Sequence, residues 1–261
     1  DFPFLKEVDS LALANVQLNL EQSFRNCFSS KHCKFPKYKS LKRTRKSYTT
    51  NNQNGTVAVI DNAIKLPKTG KVKAVIHRKP LKTWKIKSVT ISQDAVGCFY
   101  ASVLFEYDIT ITPAVITEAT TVGLDYKSDG LYCDSNGNIP MGEHKYYRQN
   151  QIKLAKEQHK LKNKIKGSNN YNKQKKRIAK IHKHISNQRK DYLHKLSTAI
   201  TKQYNCICVE NLDMKALSNK GFGNGKATLD NGYGMFINML QYKLTDIGGS
   251  LIKVDKFFPS S

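Results

Sequence analysis

Acidic residues are scarce in this chain: 20 Asp and Glu stand against 44 Lys and Arg, a formal charge of +24 over 261 residues. Long apolar runs are missing too. No stretch approaches the roughly 18 uninterrupted apolar residues of a membrane helix, which excludes a helical span. There is no Cys-x-x-Cys pair, and the six cysteines (Cys27, Cys33, Cys98, Cys133, Cys206 and Cys208) are thinly scattered. That spacing fits neither a secreted disulfide scaffold nor a zinc site, so reduced thiols in a cytoplasmic protein are expected. The opening Asp1-Phe2-Pro3-Phe4 shows no initiator Met, basic region or apolar stretch of a secretory leader. The chain is therefore expected to be a fragment without a signal peptide.

What is present suffices for a packed core. At 39% apolar and 10% aromatic residues the chain is too hydrophobic for a disordered basic tail. Its length suits one large domain or two modest ones. The excess charge is concentrated. Residues 1–142 carry 20 basic and 12 acidic residues, 143–204 carry 18 against 3, and 205–261 carry 6 against 5. An isolated charge run is usually a solvated helix face. Here Tyr146, Tyr147, Tyr171, Tyr192 and five histidines are interleaved with the cations. Such a field recruits a polyanion through counterion release, and nucleic-acid binding is the reading that follows.

The pattern along the chain predicts a mixed α/β order. A helix is expected over 9–28, capped by Asp9 or Ser10, with Leu13, Val16, Leu20, Phe24 and Cys27 as its core face. The basic, Pro-containing stretch 35–50 has no helical period. Short β-rich runs at 56–60, 72–76, 84–91 and 98–105 predict an antiparallel sheet or barrel with one basic face. A linker follows over 109–120, then strand, turn and strand over 120–137, with Ser128-Asp129-Gly130 and Ser135-Asn136-Gly137 as turns. Two long helices, 143–166 and 171–204, are expected to pair. The second has Ile178, Ile181, Ile185, Gln188/Arg189, Tyr192, Leu196 and Ala199 on its inner stripe. A buried-type strand at 206–210, a helix near 231–247 and a strand at 250–254 complete the order.

Two carboxylates stand where apolar strands run out: Asp125 after Val122-Gly123-Leu124, and Glu210 after Ile207-Cys208-Val209. On adjacent strands they would lie close enough to hold hard divalent cations that position a water against a phosphodiester. Acidic residues at strand ends are common, and residue type and spacing alone favour turn-forming or capping carboxylates.

Five segments then occur in one order: VGLDYKSDGLYCDSNG from Val122, NQRKDYLHKLS (187–197), CICVENLDMKAL (206–217), DNGYGMFINMLQYKL (230–244) and KVDKFFPSS (253–261). Together with the upstream FPKYKSLKRTRKSY they resemble the TnpB family, the OrfB-type insertion-sequence proteins long called transposases. That family comprises RNA-guided nucleases similar to type V CRISPR effectors. The resemblance runs from about Phe4 to the end of the chain. It implies the end of a helical recognition lobe at 1–34, a basic β-barrel-like wedge domain at 35–112, and an RNase H-like (RuvC-type) nuclease domain at 113–261 with the 143–204 helical hairpin inserted. Asp125 and Glu210 would match two catalytic, metal-binding carboxylates, served by Mg²⁺ or Mn²⁺ and by no small-molecule cofactor. Guide RNA and target DNA are the implied partners, and no membrane is. Candidate nucleic-acid contacts are Lys37, Lys39, Lys42, Arg43, Arg45, Lys46 and Tyr48 in the first basic stretch, and Arg148, Lys176, Arg177, Arg189 and Lys190 in the helical pair.

The departures from the family are specific. Lys127 stands where many members have glycine. The zinc ribbon and third catalytic aspartate that follow FFPSS in the family are not in this sequence, nor are zinc ligands, so truncation at both ends is expected. Asp255, Asp213 and Asp230 fall where the family does not use them for metal. The resemblance thus implies a metal-dependent DNA endonuclease of a mobile element, and the two-carboxylate site leaves open a guide-directed binder or repressor that does not cut.

Overall fold

The computed structural model describes residues 2–30, 33–38, 40, 46–140, 145–218 and 225–255. The chain divides between Ile109 and Thr110 into two compact units.

In the first unit, helix α1 (Ser10–Ser29) begins at Asp9, whose carboxylate accepts from Leu11 N at 3.2 Å. The same carboxylate accepts from the Thr50 hydroxyl, which ties the helix start to strand β1 (Ser47–Asn51). The expected core face of α1 is not a core. Only Ala12 is buried, and Val16 and Leu20 are exposed. Phe24 instead packs against Phe28 and Phe35. Helical periodicity marks an apolar face, but burial needs a partner surface, and the described residues of this unit place little against that face.

Six strands follow one another in the first unit: β1, β2 (Ala58–Ile60), β3 (Ala63–Leu66), β4 (Gly70–Lys73), β5 (Lys85–Gln93) and β6 (Phe99–Glu106). Among the described residues they pair antiparallel as two three-stranded sheets, β1-β5-β6 and β2-β3-β4, rather than as one closed barrel. Val57, Ile64, Leu66 and Val89 form the core they share. Strand β1 arises from the end of the basic stretch that showed no pattern, because alternation over five residues is masked by SYTTN composition. Strand β3 is equally short, and its AIKL run is too brief to read as a separate strand.

The second unit is built on a four-stranded sheet, order β10-β9-β7-β8. Strands β7 (Thr121–Lys127), β9 (Cys206–Glu210) and β10 (Ser250–Val254) run parallel, and β8 (Leu131–Asp134) pairs antiparallel at one edge. Helices α2 (Tyr146–Lys162) and α3 (Asn169–Gln203) lie in sequence between β8 and β9. Short helices α4 (Met214–Leu217) and α5 (Gly225–Asn231) precede α6 (Tyr233–Asp246). Val122 and Leu124 of β7 and Ile207 and Val209 of β9 are buried against Leu193, Ile200, Phe236, Leu240 and Leu244 of α3 and α6. Gly248 (φ +73°) and Gly249 turn the chain from α6 into β10, where a Cβ would collide with the carbonyl oxygens of Thr112 and Asn205.

Helix α3, about 52 Å long at 1.5 Å per residue, packs on two different partners. Its first half meets α2 through Ile181, Ile185 and Leu154, and Gln174 Nε2 donates to Glu157 O and Oε2 at 2.9 and 2.7 Å. Its second half meets α6, and there the stripe shifts from the expected one. Leu193, Ser197 and Ile200 are buried, while Ala199 is exposed. A straight 3.6-residue helix drifts relative to a fixed stripe, and a change of partner midway resets which residues face inward.

Candidate functional site

Strands β7 and β9 are in register from Thr121↔Cys206 to Leu124↔Val209. One further step sets Asp125 beside Glu210. Alternation does the rest: the even-numbered residues of β7 enter the core, so Gly123 and Asp125 face the other side, and Cys208 and Glu210 of β9 face it with them. These residues line a cleft of about 440 Å³, and Asp134 and Asp255 stand on its walls. Asp255 follows Val254, which is the register partner of Glu210 on β10. The sequence reading kept Asp255 apart from the carboxylate pair; the fold brings it to the same cleft.

The acids around this cleft are not equivalent. Burial opposes ionisation of Asp134, but hydrogen bonds from the Asn138 side chain and from the Asn138 and Asn136 backbone outweigh it and hold its carboxyl below the ordinary range. It shapes the turn. Asp213 accepts from Ala216 N at the start of α4. Asp230 is buried and accepts from Tyr147 N at 3.0 Å, Arg148 N at 3.3 Å and Arg189 Nη2 at 2.8 Å. Asp125 is exposed and Glu210 half-buried, and both face the open cleft.

The donor set fits a hard divalent cation. Two carboxylates with room for water suit Mg²⁺, which keeps several waters and takes one or two protein carboxylates rather than a full protein cage. Among the described residues no group of three or more His, Cys, Asp or Glu side chains is placed to hold a metal. The thiol beside the pair does not compete. Burial, then Cys206, raises the Cys208 thiol and keeps it neutral.

Tyr233 is a neighbour that sequence reasoning missed. Its ring packs on Tyr126 at 4.8 Å, its buried hydroxyl has no hydrogen-bond partner among the described residues, and its phenol is pushed up by burial first and then by Asp125 and Glu210. A tyrosine inside the DNGYGMF segment gives no sign of that position before the sheet end is known.

The expected nucleic-acid contacts separate into three groups. Lys37, Lys46, Tyr48, Arg148, Lys176, Arg177 and Lys190 are exposed. Lys39, Lys42, Arg43 and Arg45 lie outside the described residues. Arg189 is the correction: it is largely enclosed and ion-paired with Asp230, so a phosphate would have to displace a buried carboxylate. It belongs to the internal clamp that fixes the start of α2 and the middle of α3. On α3, Lys173, Lys176, Arg177 and Lys180 are exposed, while Ile181 and Ile185 are buried. The described acids of the hairpin are already engaged, Glu157 by Lys160 and Gln174, and Asp191 by Lys195. The remaining cations therefore keep their field.

Comparison with known proteins agrees with this organisation. Residues 104–220 match the family model OrfB_IS605, described as "Probable transposase". The chain is 33% identical over 267 residues to a "Putative RNA-guided DNA endonuclease" of Streptomyces pristinaespiralis, a match covering all of this chain and 63% of that protein. It is 32% identical over 273 residues to "Putative RNA-guided DNA endonuclease InsQ" of Escherichia coli (strain K12), covering 98% of this chain and 65% of that protein. The chain thus spans under two thirds of the length of either relative. Among solved structures, a Cas12f1 chain from a complex with sgRNA and target DNA matches at a TM-score of 0.53 and 12% identity, over 93% of this chain and 60% of that one. That likeness is one of fold. Asp125 and Glu210 both fall inside the segment matched by the family model, and the matches support a TnpB-type protein.

Proposed function

We propose that this chain carries the catalytic and nucleic-acid-binding core of an RNA-guided, metal-dependent DNA endonuclease acting in the cytoplasm. The observation that carries the reading is the parallel register that sets Asp125 beside Glu210 on an open cleft. The identity of 33% and 32% to two relatives named as RNA-guided DNA endonucleases supports it. In this reading residues 113–261 form an RNase H-like (RuvC-type) domain with the α2–α3 hairpin inserted, 35–112 a wedge domain and 1–34 the end of a helical lobe.

Asp125 and Glu210 hold the divalent cation, Mg²⁺ or Mn²⁺, from adjacent strands. Bound there, the cation supplies Lewis-acid polarisation of the phosphodiester and an activated water. The chain's own part is positional. The sheet fixes both carboxylates on one face. The exposed cations of α3 draw a phosphate backbone by counterion release, and the Arg189–Asp230 clamp holds the hairpin in place. Guide RNA supplies sequence specificity by pairing with the target DNA, while the protein reads backbone and shape.

The test is a single-turnover cleavage assay with Mg²⁺, RNA recovered with the purified protein and labelled matching DNA, paired with Mn²⁺ binding by electron paramagnetic resonance. Asp125→Ala or Glu210→Ala is expected to abolish cutting and weaken Mn²⁺ binding at least tenfold, with RNA binding unchanged. Cutting that survives Asp125→Ala would falsify the site. A second reading, guide-directed binding without cutting, is favoured by the lack of a three-ligand metal group among the described residues. It expects tight RNA-dependent DNA binding and no cleavage in the same assay.

A further inference from the structure

Trp84, the single tryptophan of the chain, takes no part in the core of the first unit. Lys85 lies opposite Glu106 and Ile86 opposite Phe105 on the β5–β6 ladder, so Trp84 and Tyr107 are the next cross-strand pair outward. Their rings stack at 4.5 Å with an interplanar angle of 13°, and Trp84 is tilted against Phe105 at 5.6 Å. The three rings form a short ladder that ends on Tyr107, 46% exposed. A buried core does not explain a parallel stack left open to solvent at its last ring.

The surroundings are cationic. The segment just before Trp84, His77-Arg78-Lys79-Pro80-Leu81-Lys82-Thr83, is exposed except for Pro80, which is half-buried, and Lys85 is exposed beyond it. Among the described residues Arg78, Lys79, Lys82 and Lys85 make no ion pair. Of the carboxylates beside Tyr107, Glu106 is already paired with Lys87 at 3.2 Å, leaving Asp108. Flat aromatic faces flanked by unpaired cations are how proteins hold single-stranded nucleic acid: bases stack on the rings and phosphates meet the cations. A base inside a duplex has both faces covered and cannot extend the ladder.

We propose that the Trp84–Tyr107 stack is a platform for an unpaired nucleobase of bound RNA, with Arg78, Lys79 and Lys82 holding the neighbouring phosphates. The proposal rests on the reading of the chain as an RNA-binding protein and names the part of the RNA that this surface takes.

The experiment titrates the full chain with a fluorescein-labelled oligoadenylate 10-mer, following anisotropy for binding and Trp84 emission for the platform. The single tryptophan makes that emission specific. Single-stranded RNA is expected to change Trp84 emission, and duplex RNA is not. Tyr107→Ala is expected to weaken binding by about 5- to 100-fold, whereas Tyr107→Phe, which keeps the ring, retains wild-type affinity. Phe99→Ala, 71% exposed at the far end of β6, is expected to bind as the parent does. Unchanged affinity in Tyr107→Ala with silent Trp84 emission would remove the platform while leaving RNA binding intact. A response to oligodeoxyadenylate and not to the RNA would assign the platform to a DNA strand and overturn the RNA assignment. Failure of every strand to bind would instead overturn the functional reading beneath it. Circular dichroism of Tyr107→Ala checks that the fold persists.

Discussion

The two units treat their apolar residues in opposite ways. In the second, Phe236, Leu193, Ile207, Leu240 and Leu244 are fully enclosed between sheet and helices. In the first, Val57, Ile64, Leu66 and Val89 make a small core, while Val16, Phe28, Phe99 and Leu104 are exposed. The second unit encloses that large core, although Ile152 and Ile165 of the hairpin stay exposed among its cations. The first presents aromatics and cations together at its surface. Catalytic geometry needs rigid support, and the proposed pair, Asp125 and Glu210, lies in the unit where burial is deepest.

The largest expected effect breaks this contrast directly. Phe236→Ala removes a fully buried ring and is expected to destabilise by about 3–5 kcal/mol. Leu20→Ala, on the exposed face of α1, is expected to change stability by less than about 0.5 kcal/mol. Urea denaturation followed by helical circular dichroism measures both. Similar losses in the two variants would mean that the α1 face is covered after all.

A somewhat smaller loss tests the clamp that the sequence concealed. Asp230→Ala strands the Arg189 guanidinium and two backbone N–H groups at the start of α2. Breaking a buried ion pair from one side is worth about 3 kcal/mol. Asp213→Ala, which removes the exposed carboxylate that caps α4, is expected to lose about 1 kcal/mol. If the two variants melt alike, Arg189 is not held by Asp230 in solution and returns to the set of phosphate contacts.

These residues show where legibility ended. Strand ends alone left Asp125 and Glu210 open to a capping reading; the resemblance to the TnpB family paired them, and the parallel register of β7 and β9 puts such ends together. The long helices and the central strands were readable from period alone. Arg189 was read both ways, on the inner stripe by period and as a phosphate contact by charge, because its partner Asp230 lies far along the chain. The face of α1 failed for the converse reason: periodicity reports amphipathicity and says nothing about whether a partner surface covers it. Tyr233 depends on where the start of α6 packs, and the Trp84–Tyr107 pair on which residues meet at strand ends. Register fixes that, and composition does not.

The smallest expected effect sharpens the comparison by confining a pH response to the second unit. His194 lies on α3 against α6, where Tyr242 Oη is 3.4 Å from its Nδ1 and Lys243 Nζ donates to its backbone oxygen at 2.8 Å. Burial lowers its pKa, Lys243 and Lys190 lower it further, and Asp191 opposes them. The folded state therefore keeps this imidazole neutral at pH values where the unfolded chain, titrating near the ordinary value of about 6.5, takes up a proton. Stability rises with pH wherever the unfolded state binds more protons. The contribution is complete above pH 6.5 and is lost as pH falls from there through the lower folded value. Carboxylates such as Asp134, also shifted down, act in a separate window below about pH 4. His194→Gln is expected to flatten the fall in melting temperature between pH 7 and 5 and to leave the limb below pH 4 unchanged. An unaltered slope between pH 7 and 5 in that variant would show that His194 is as free to protonate in the fold as in the unfolded chain, and that the α3–α6 contact is looser than the packing of Leu193, Phe236 and Leu240 requires.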